Sequence, residues 1–195
     1  EFLLSDAYLS VIEAIKYSAY WQNRKAKIDW ISANDFEKDY KKTQMLKKYD
    51  GIIVPGGFGS RAIEGKINVI RYARENKIPS FGLCYGMQLA VLEFARNVVG
   101  LKGAHTVEVD KKTAHPIIDI MESQKENIKH ARYGGSMRLG EYNARLLDGT
   151  IAREAYGKRD IVERHRHRYE VNPAFVPQIE KKGMIFSGFN PETGL

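Results

Sequence analysis

The chain has 195 residues, 43% of them hydrophobic and 28% charged. That is enough for one well-filled core, and the balance excludes a disordered or fibrous protein. Its 31 Lys and Arg against 24 Asp and Glu leave a net charge of +7. The basic residues are scattered from Lys16 to Lys182, which favours steering of anionic ligands, or plain solubility, over a nucleic-acid or membrane partner.

No apolar run approaches the roughly 18–20 residues that span a bilayer. A single cysteine rules out an internal disulfide framework and leaves one thiol to explain. The chain opens on Glu1, with nothing resembling a signal peptide. It closes on Gly188 to Leu195, directly after an apolar run, and so reads as a piece of a longer polypeptide. Ser5 or Asp6 is placed to cap a helix whose apolar residues Leu9, Ile12, Ile15 and Ala19 recur at helical spacing. Lys27 to Ser32 reads as a short strand and Asn34 to Lys48 as a weak helix. Gly51-Ile-Ile-Val54 is a short buried strand followed by the turn Pro55-Gly-Gly-Phe-Gly59.

Arg61 to Asn76 carries Ile63, Ile67, Ile70 and Ala73 on one side of a helix. Ile78 to Leu83 is the next strand and Gly86 to Arg96 the next helix. This alternation predicts a three-layer α/β/α fold with a mainly parallel central sheet covered on both faces. From Ala104 onward the pattern changes. Met137 to Tyr142, Ile161 to Val171 and Met184 to Phe189 read as strands with turn-rich links, so the second half adds antiparallel strands. No repeat, low-complexity stretch or linker interrupts residues 1–195, which predicts a single domain.

Gly82-Leu-Cys84-Tyr-Gly86 lies where a predicted strand meets a predicted helix. It is the cysteine form of the nucleophile elbow G-x-S-x-G. The apex residue is held at a positive φ, and its neighbours two places away must be small for strand and helix to close up. The thiol then stands at a helix N-terminus, where the dipole and free N–H groups favour the thiolate. The plain alternative, a buried structural cysteine, leaves the two flanking glycines unexplained. An elbow needs an oxyanion hole. The N–H of Tyr85 supplies one donor, and the glycine loop after the neighbouring strand is placed to supply another.

That loop also fits a dinucleotide fingerprint, Gly57-x-Gly59-x-x-Ala62. The fingerprint wants an acidic residue at the end of the following strand. Here that strand delivers Cys84, and Glu75 falls near the end of the helix. A binding module of that kind is the weaker reading.

Ile161 to Val171 reads I-V-E-R-H-R-H-R-Y-E-V. As one strand it puts Arg164, Arg166, Arg168 and Glu170 on one face, and Glu163, His165, His167 and Tyr169 on the other. A guanidinium there suits bidentate capture of a carboxylate, with a solvated basic face, or a nucleic-acid patch on which Tyr169 stacks, as the alternatives. None of His105, His115, His130, His165 and His167 is identifiable by spacing as a base for the thiol. No His, Cys and carboxylate set has zinc-like spacing, so no metal is expected.

Four blocks carry a resemblance: Pro55-Gly-Gly-Phe-Gly59, Gly82-Leu-Cys-Tyr-Gly-Met-Gln88, Gly134-Gly-Ser-Met-Arg-Leu-Gly140 and Glu163-Arg-His-Arg-His-Arg-Tyr-Glu-Val-Asn172. With them the sequence, from about Asp6 to Gly188, is similar to the class I (triad-type) glutamine amidotransferase domain of the CTP synthase family. The first two blocks are shared by all triad amidotransferases, and the last two are specific to that family.

The resemblance implies that the Cys84 thiolate attacks the side-chain amide of glutamine, forms a γ-glutamyl thioester and releases ammonia. It further implies that Gly57 and Tyr85 supply oxyanion N–H groups, that Phe58 lies beside the bound glutamine and that Gln88 contacts it. Glu108 would accept the α-ammonium and Arg168 the α-carboxylate. No cofactor is implied for this domain. The full cytoplasmic enzyme would pass ammonia to a synthetase domain of the same polypeptide, which uses ATP and Mg2+ to aminate UTP to CTP, with GTP as effector, and would be a homo-oligomer. Another triad amidotransferase or a γ-glutamyl hydrolase is the alternative within enzymes.

The sequence also departs from the family. The triad's His-Pro-Glu does not occur, since His115-Pro116 is followed by Ile117. The family's first strand and its synthetase domain are missing as well. The piece is therefore expected to react at Cys84 yet turn over poorly until the absent C-terminal segment is restored.

Overall fold

A computed structural model describes residues 5–120, 138–192 and 194. The chain divides into two compact units, Glu1–Ser32 and Ala33–Leu195. In the first, a 3-10 turn at Ser5–Tyr8 leads into α1 (Leu9–Trp21). The expected periodicity is there, but none of α1 is fully buried, and Leu9 is exposed. Lys27 to Ser32 is not a strand. A β-strand exists only through a ladder partner, and the described part of this unit holds no second strand.

The second unit opens with two 3-10 segments, Ala33–Phe36 and Tyr40–Lys48, in place of the single weak helix predicted. Short polar side chains divert the backbone here: the Asp39 carboxylate accepts from the Lys41 N–H, and the Thr43 hydroxyl donates to the Tyr40 carbonyl. Next come β1 (Ile52–Val54), α2 (Ile63–Glu75), β2 (Ser80–Gly82) and α3 (Tyr85–Phe94), the last running into a π-helical turn at Ala95–Val99. β1 and β2 pair in parallel, Ile52 opposite Ser80 and Val54 opposite Gly82. Ile63, Ile67, Ile70 and Ala73 of α2 are all buried, as their spacing predicts. Alternate residues of a strand point opposite ways, so Val54 is buried while Ile53 and its register partner Phe81 are exposed.

The remaining strands are β3 (His105–Thr106), β4 (Pro116–Ile120), β5 (Arg138–Leu146), β6 (Asp160–His167), β7 (Tyr169–Val171) and β8 (Gly188–Phe189), with short helices α4 (Ile151–Tyr156) and α5 (Val176–Glu180). They form one mixed sheet, β3-β4-β7, and one antiparallel sheet, β6-β5-β8. The α/β class with antiparallel additions in the second half is as predicted. Two strands are redrawn. Met184–Phe189 contributes only its last two residues. Ile161–Val171 is two strands that exchange partners at Arg168, β6 ending on β5 and β7 starting on β4.

The core gathers Val54, Ile63, Ile67, Ile70, Tyr85, Leu89, Leu92, Ile117, Ile118 and Ile179 from α2, α3, β1, β4 and α5. It sits directly behind the β2–α3 corner. The block Gly134 to Met137 and His130 lie outside the described residues.

Candidate active site

The corner is built by exclusion of volume. Cys84 has φ +52° and ψ −104°, between β2 and α3. A Cβ on Gly82 would stand 2.5 Å from the Gly86 carbonyl carbon and from the Met87 nitrogen. One on Gly86 would overlap the Val54 carbonyl. Only glycine lets β1, β2 and α3 approach this closely. The Leu83 N–H donates to the Val54 carbonyl at 2.9 Å, and the Gln88 N–H to the Cys84 carbonyl at 3.1 Å, which locks the turn between strand and helix.

Cys84 is exposed as a residue, yet its thiol is partly withdrawn from water. Burial pushes the thiol above its ordinary range. A hydrogen bond from the Tyr85 N–H pulls it down, and the Glu108 carboxylate pushes it up again. The expectation that the helix N-terminus favours the thiolate is corrected here. The N–H effect is present, but desolvation and a nearby anion outweigh it. Among the described residues no histidine is one of the groups that shift this thiol.

The glycine loop lies alongside, as predicted. A Cβ on Gly56 would stand 3.6 Å from the Cys84 Cβ, and one on Gly57 3.7 Å from Tyr85 Cδ1. Phe58 stands out from it, 85% exposed. Gly59, at φ +75°, is held by both backbone groups. Its N–H donates to Glu108 Oε1 at 3.0 Å, and its carbonyl accepts from the Tyr85 hydroxyl at 2.6 Å. Glu108 follows β3 and is half-buried.

Gln88 is buried one turn into α3, and its Nε2 donates to the Tyr169 carbonyl at 2.9 Å. Arg168 is half-buried at the β6–β7 break, next to Tyr169. That placement corrects the one-face reading. Arg164 and Arg166 are exposed on β6, the solvated face of the alternative reading, and Arg168 does not continue their face in a single sheet because the chain changes ladder there. A ring nitrogen of His167 also meets the Tyr169 carbonyl at 3.0 Å, and its other nitrogen meets His165 at 2.9 Å.

Cys84, Gly57, Tyr85 and Glu108 are thus gathered at one corner, and Gln88 reaches from it to the carbonyl of Tyr169, the residue that follows Arg168. The Tyr85 side chain and the Tyr169 carbonyl were missed by sequence reasoning. The first had a signal, a phenol directly after the cysteine, and the second had none. Among the described residues, no group of three His, Cys, Asp or Glu side chains stands together as a metal site would need.

The model of the family Glutamine amidotransferase class-I matches residues 3–194. Curated relatives include the CTP synthase of Staphylococcus carnosus, 50% identical over 189 residues, covering 97% of this chain and 34% of the relative. Another is the CTP synthase of Pyrococcus abyssi, 52% identical over 185 residues, covering 95% and 34%. The chain therefore spans about a third of the length of these relatives. Among solved structures, the Trypanosoma brucei CTPS glutaminase domain with bound acivicin superposes with a TM-score of 0.89 at 33% identity, covering 98% of this chain and 72% of that one. With motif, corner geometry and overall fold in agreement, the chain belongs to the class I glutamine amidotransferase family, in the branch formed by the glutaminase domains of CTP synthases.

Proposed function

We propose that this domain hydrolyses the side-chain amide of glutamine through a covalent intermediate on Cys84. The sulfur–Cδ bond forms as the carbon–nitrogen bond breaks, and the nitrogen leaves as ammonia with the proton given up by the thiol. Water then adds its hydroxyl to the thioester carbonyl, the thiol regains a proton, and glutamate departs. Developing charge on the carbonyl oxygen is met by the N–H groups of Gly57 and Tyr85. Glu108 pairs with the α-ammonium and Arg168 with the α-carboxylate, the two opposite charges matching the zwitterionic end of glutamine. Phe58 borders the bound side chain, and Gln88 contacts it from the floor. The proton acceptor is the histidine of the family's His-Pro-Glu, a motif these 195 residues do not contain.

The observation that carries this reading is the strained apex. Cys84 at φ +52° is flanked by two glycines that sterics forbid replacing, and its sulfur is hydrogen-bonded by the next N–H.

In the whole protein we place a synthetase domain that receives the ammonia and aminates UTP to CTP with ATP and Mg2+ under GTP control. That assembly is taken to be homo-oligomeric and cytoplasmic. Treatment of the full-length protein with an electrophilic glutamine analogue, followed by peptide mass spectrometry, tests the site. One adduct on Cys84, prevented by excess glutamine, is expected. Absence of that adduct, or labelling indifferent to glutamine, would overturn the reading.

A further inference from the structure

An oxyanion hole works only if its donors are fixed relative to each other before charge develops. One proposed donor, the Tyr85 N–H, belongs to the first turn of α3 and is rigid. The other, at Gly57, belongs to a loop rich in glycine, the residue that restrains a backbone least. Something else must hold that loop, and the structure has a specific device for it. The loop ends at Gly59, whose carbonyl accepts from the Tyr85 hydroxyl at 2.6 Å and whose N–H donates to Glu108 at 3.0 Å. The Tyr85 ring is buried, 2% exposed, and lies against Gly57. The Lys66 ammonium stands 5.5 Å from its centre.

We propose that the Tyr85 phenol is a positioning residue for glutamine hydrolysis: it ties the Gly59 carbonyl to the same residue that offers the first oxyanion N–H, so that one side chain sets the distance between the two donors. Glu108 closes the clamp on the other backbone group of Gly59. Burial, with the Glu108 charge adding to it, pushes the phenol well above its ordinary range, so the hydroxyl remains a donor at every pH the enzyme meets. This rests on the reading of Cys84 as nucleophile, but it assigns to the Tyr85 side chain a task that its backbone role does not include.

The test uses the full-length protein carrying Tyr85→Phe, which keeps the ring and removes only the hydrogen bond. Glutaminase kcat is expected to fall about three- to tenfold, the range one neutral hydrogen bond is worth. KM should stay within about twofold, since substrate contacts are untouched. Alkylation of Cys84 by iodoacetamide, which needs no oxyanion hole, should be unchanged. Inactivation by a glutamine analogue with a chloromethyl ketone in place of its amide should slow in step with kcat. A kcat loss below threefold overturns the proposal. So does a loss matched by slower iodoacetamide alkylation or carried in KM, because the phenol would then act on the thiol or on binding.

If Tyr85→Phe does not fold, exchange of the Tyr85 hydroxyl proton in the NMR spectrum of the unaltered protein decides. A slowly exchanging, hydrogen-bonded hydroxyl is expected, and a hydroxyl exchanging at the rate of a solvated phenol rejects the clamp. A wild-type protein without glutaminase activity would strike the functional reading itself and leave the clamp to the exchange result.

Discussion

Cys84 meets two opposing demands. Its backbone strain and the Tyr85 N–H point the sulfur at the helix end, while burial and the Glu108 carboxylate keep it protonated. The raised value has a definite sign. At neutral pH the thiol form dominates, and alkylation should gain rate only as pH climbs past the ordinary cysteine range of about 8.5. Glu108→Gln removes one of the two causes that raise it, so the midpoint of Cys84 alkylation against pH should move down. An unmoved or higher midpoint would show that Glu108 does not act on the sulfur. By linkage, whatever stability the neutral thiol adds is present below that ordinary range and is lost as pH rises through the raised value. The same carboxylate holds the Gly59 N–H, so thiol, loop and proposed ammonium site share one anion. None of this was visible in the sequence beyond the identity of Glu108, because nothing local ties residue 59 to residue 108.

Between elements, a bidentate polar link joins α2 to α3. Arg74 donates to both oxygens of Glu93, at 2.9 and 2.8 Å, Asn97 adds a third bond, and Glu93 is 1% exposed. Arg74→Ala would strip both arginine bonds from a buried carboxylate and leave Asn97 donating to it. Since the arginine end is a third exposed, the cost should be about 2–3 kcal/mol, or roughly 5–10 °C in melting temperature for a domain of this size. Adding Glu93→Leu should restore part of it. A melt unchanged by the single replacement would show the pair to be idle. What could be read in advance at this scale follows the range of the forces. α2 was legible because its four apolar residues recur every three or four positions, and the β2–α3 corner because five consecutive residues define it. The strand expected over Lys27–Ser32 and the single strand through Arg168 were misread because a ladder is a property of two segments. Which partner a strand takes, and where it exchanges one for another, is set far away in the chain.

Taken whole, the chain is two units of very unequal size, with the core in the larger. No helix among the described residues is long and apolar enough to cross a membrane. Since its curated relatives are about three times as long, the proposed division of labour can be tested on the full protein. Cys84→Ala should abolish CTP formation from glutamine while leaving that driven by added ammonium within about twofold, and loss of both would separate Cys84 from the supply of nitrogen.

The crowding around the corner has one more consequence, for how the chain tolerates sequence change. Side chains at 65, 82 and 86 would collide with the backbone of Ala33, of the Gly86–Met87 link and of Val54, whereas at 56 and 57 the nearest atoms are 3.6 and 3.7 Å away, ordinary contact. In a library of variants sorted only for folding, the first three positions should therefore accept glycine alone while 56 and 57 drift. Sorted for turnover, all five should be fixed. The difference between the two libraries separates the glycines that backbone packing requires, at the corner and where α2 meets Ala33, from those that serve the chemistry.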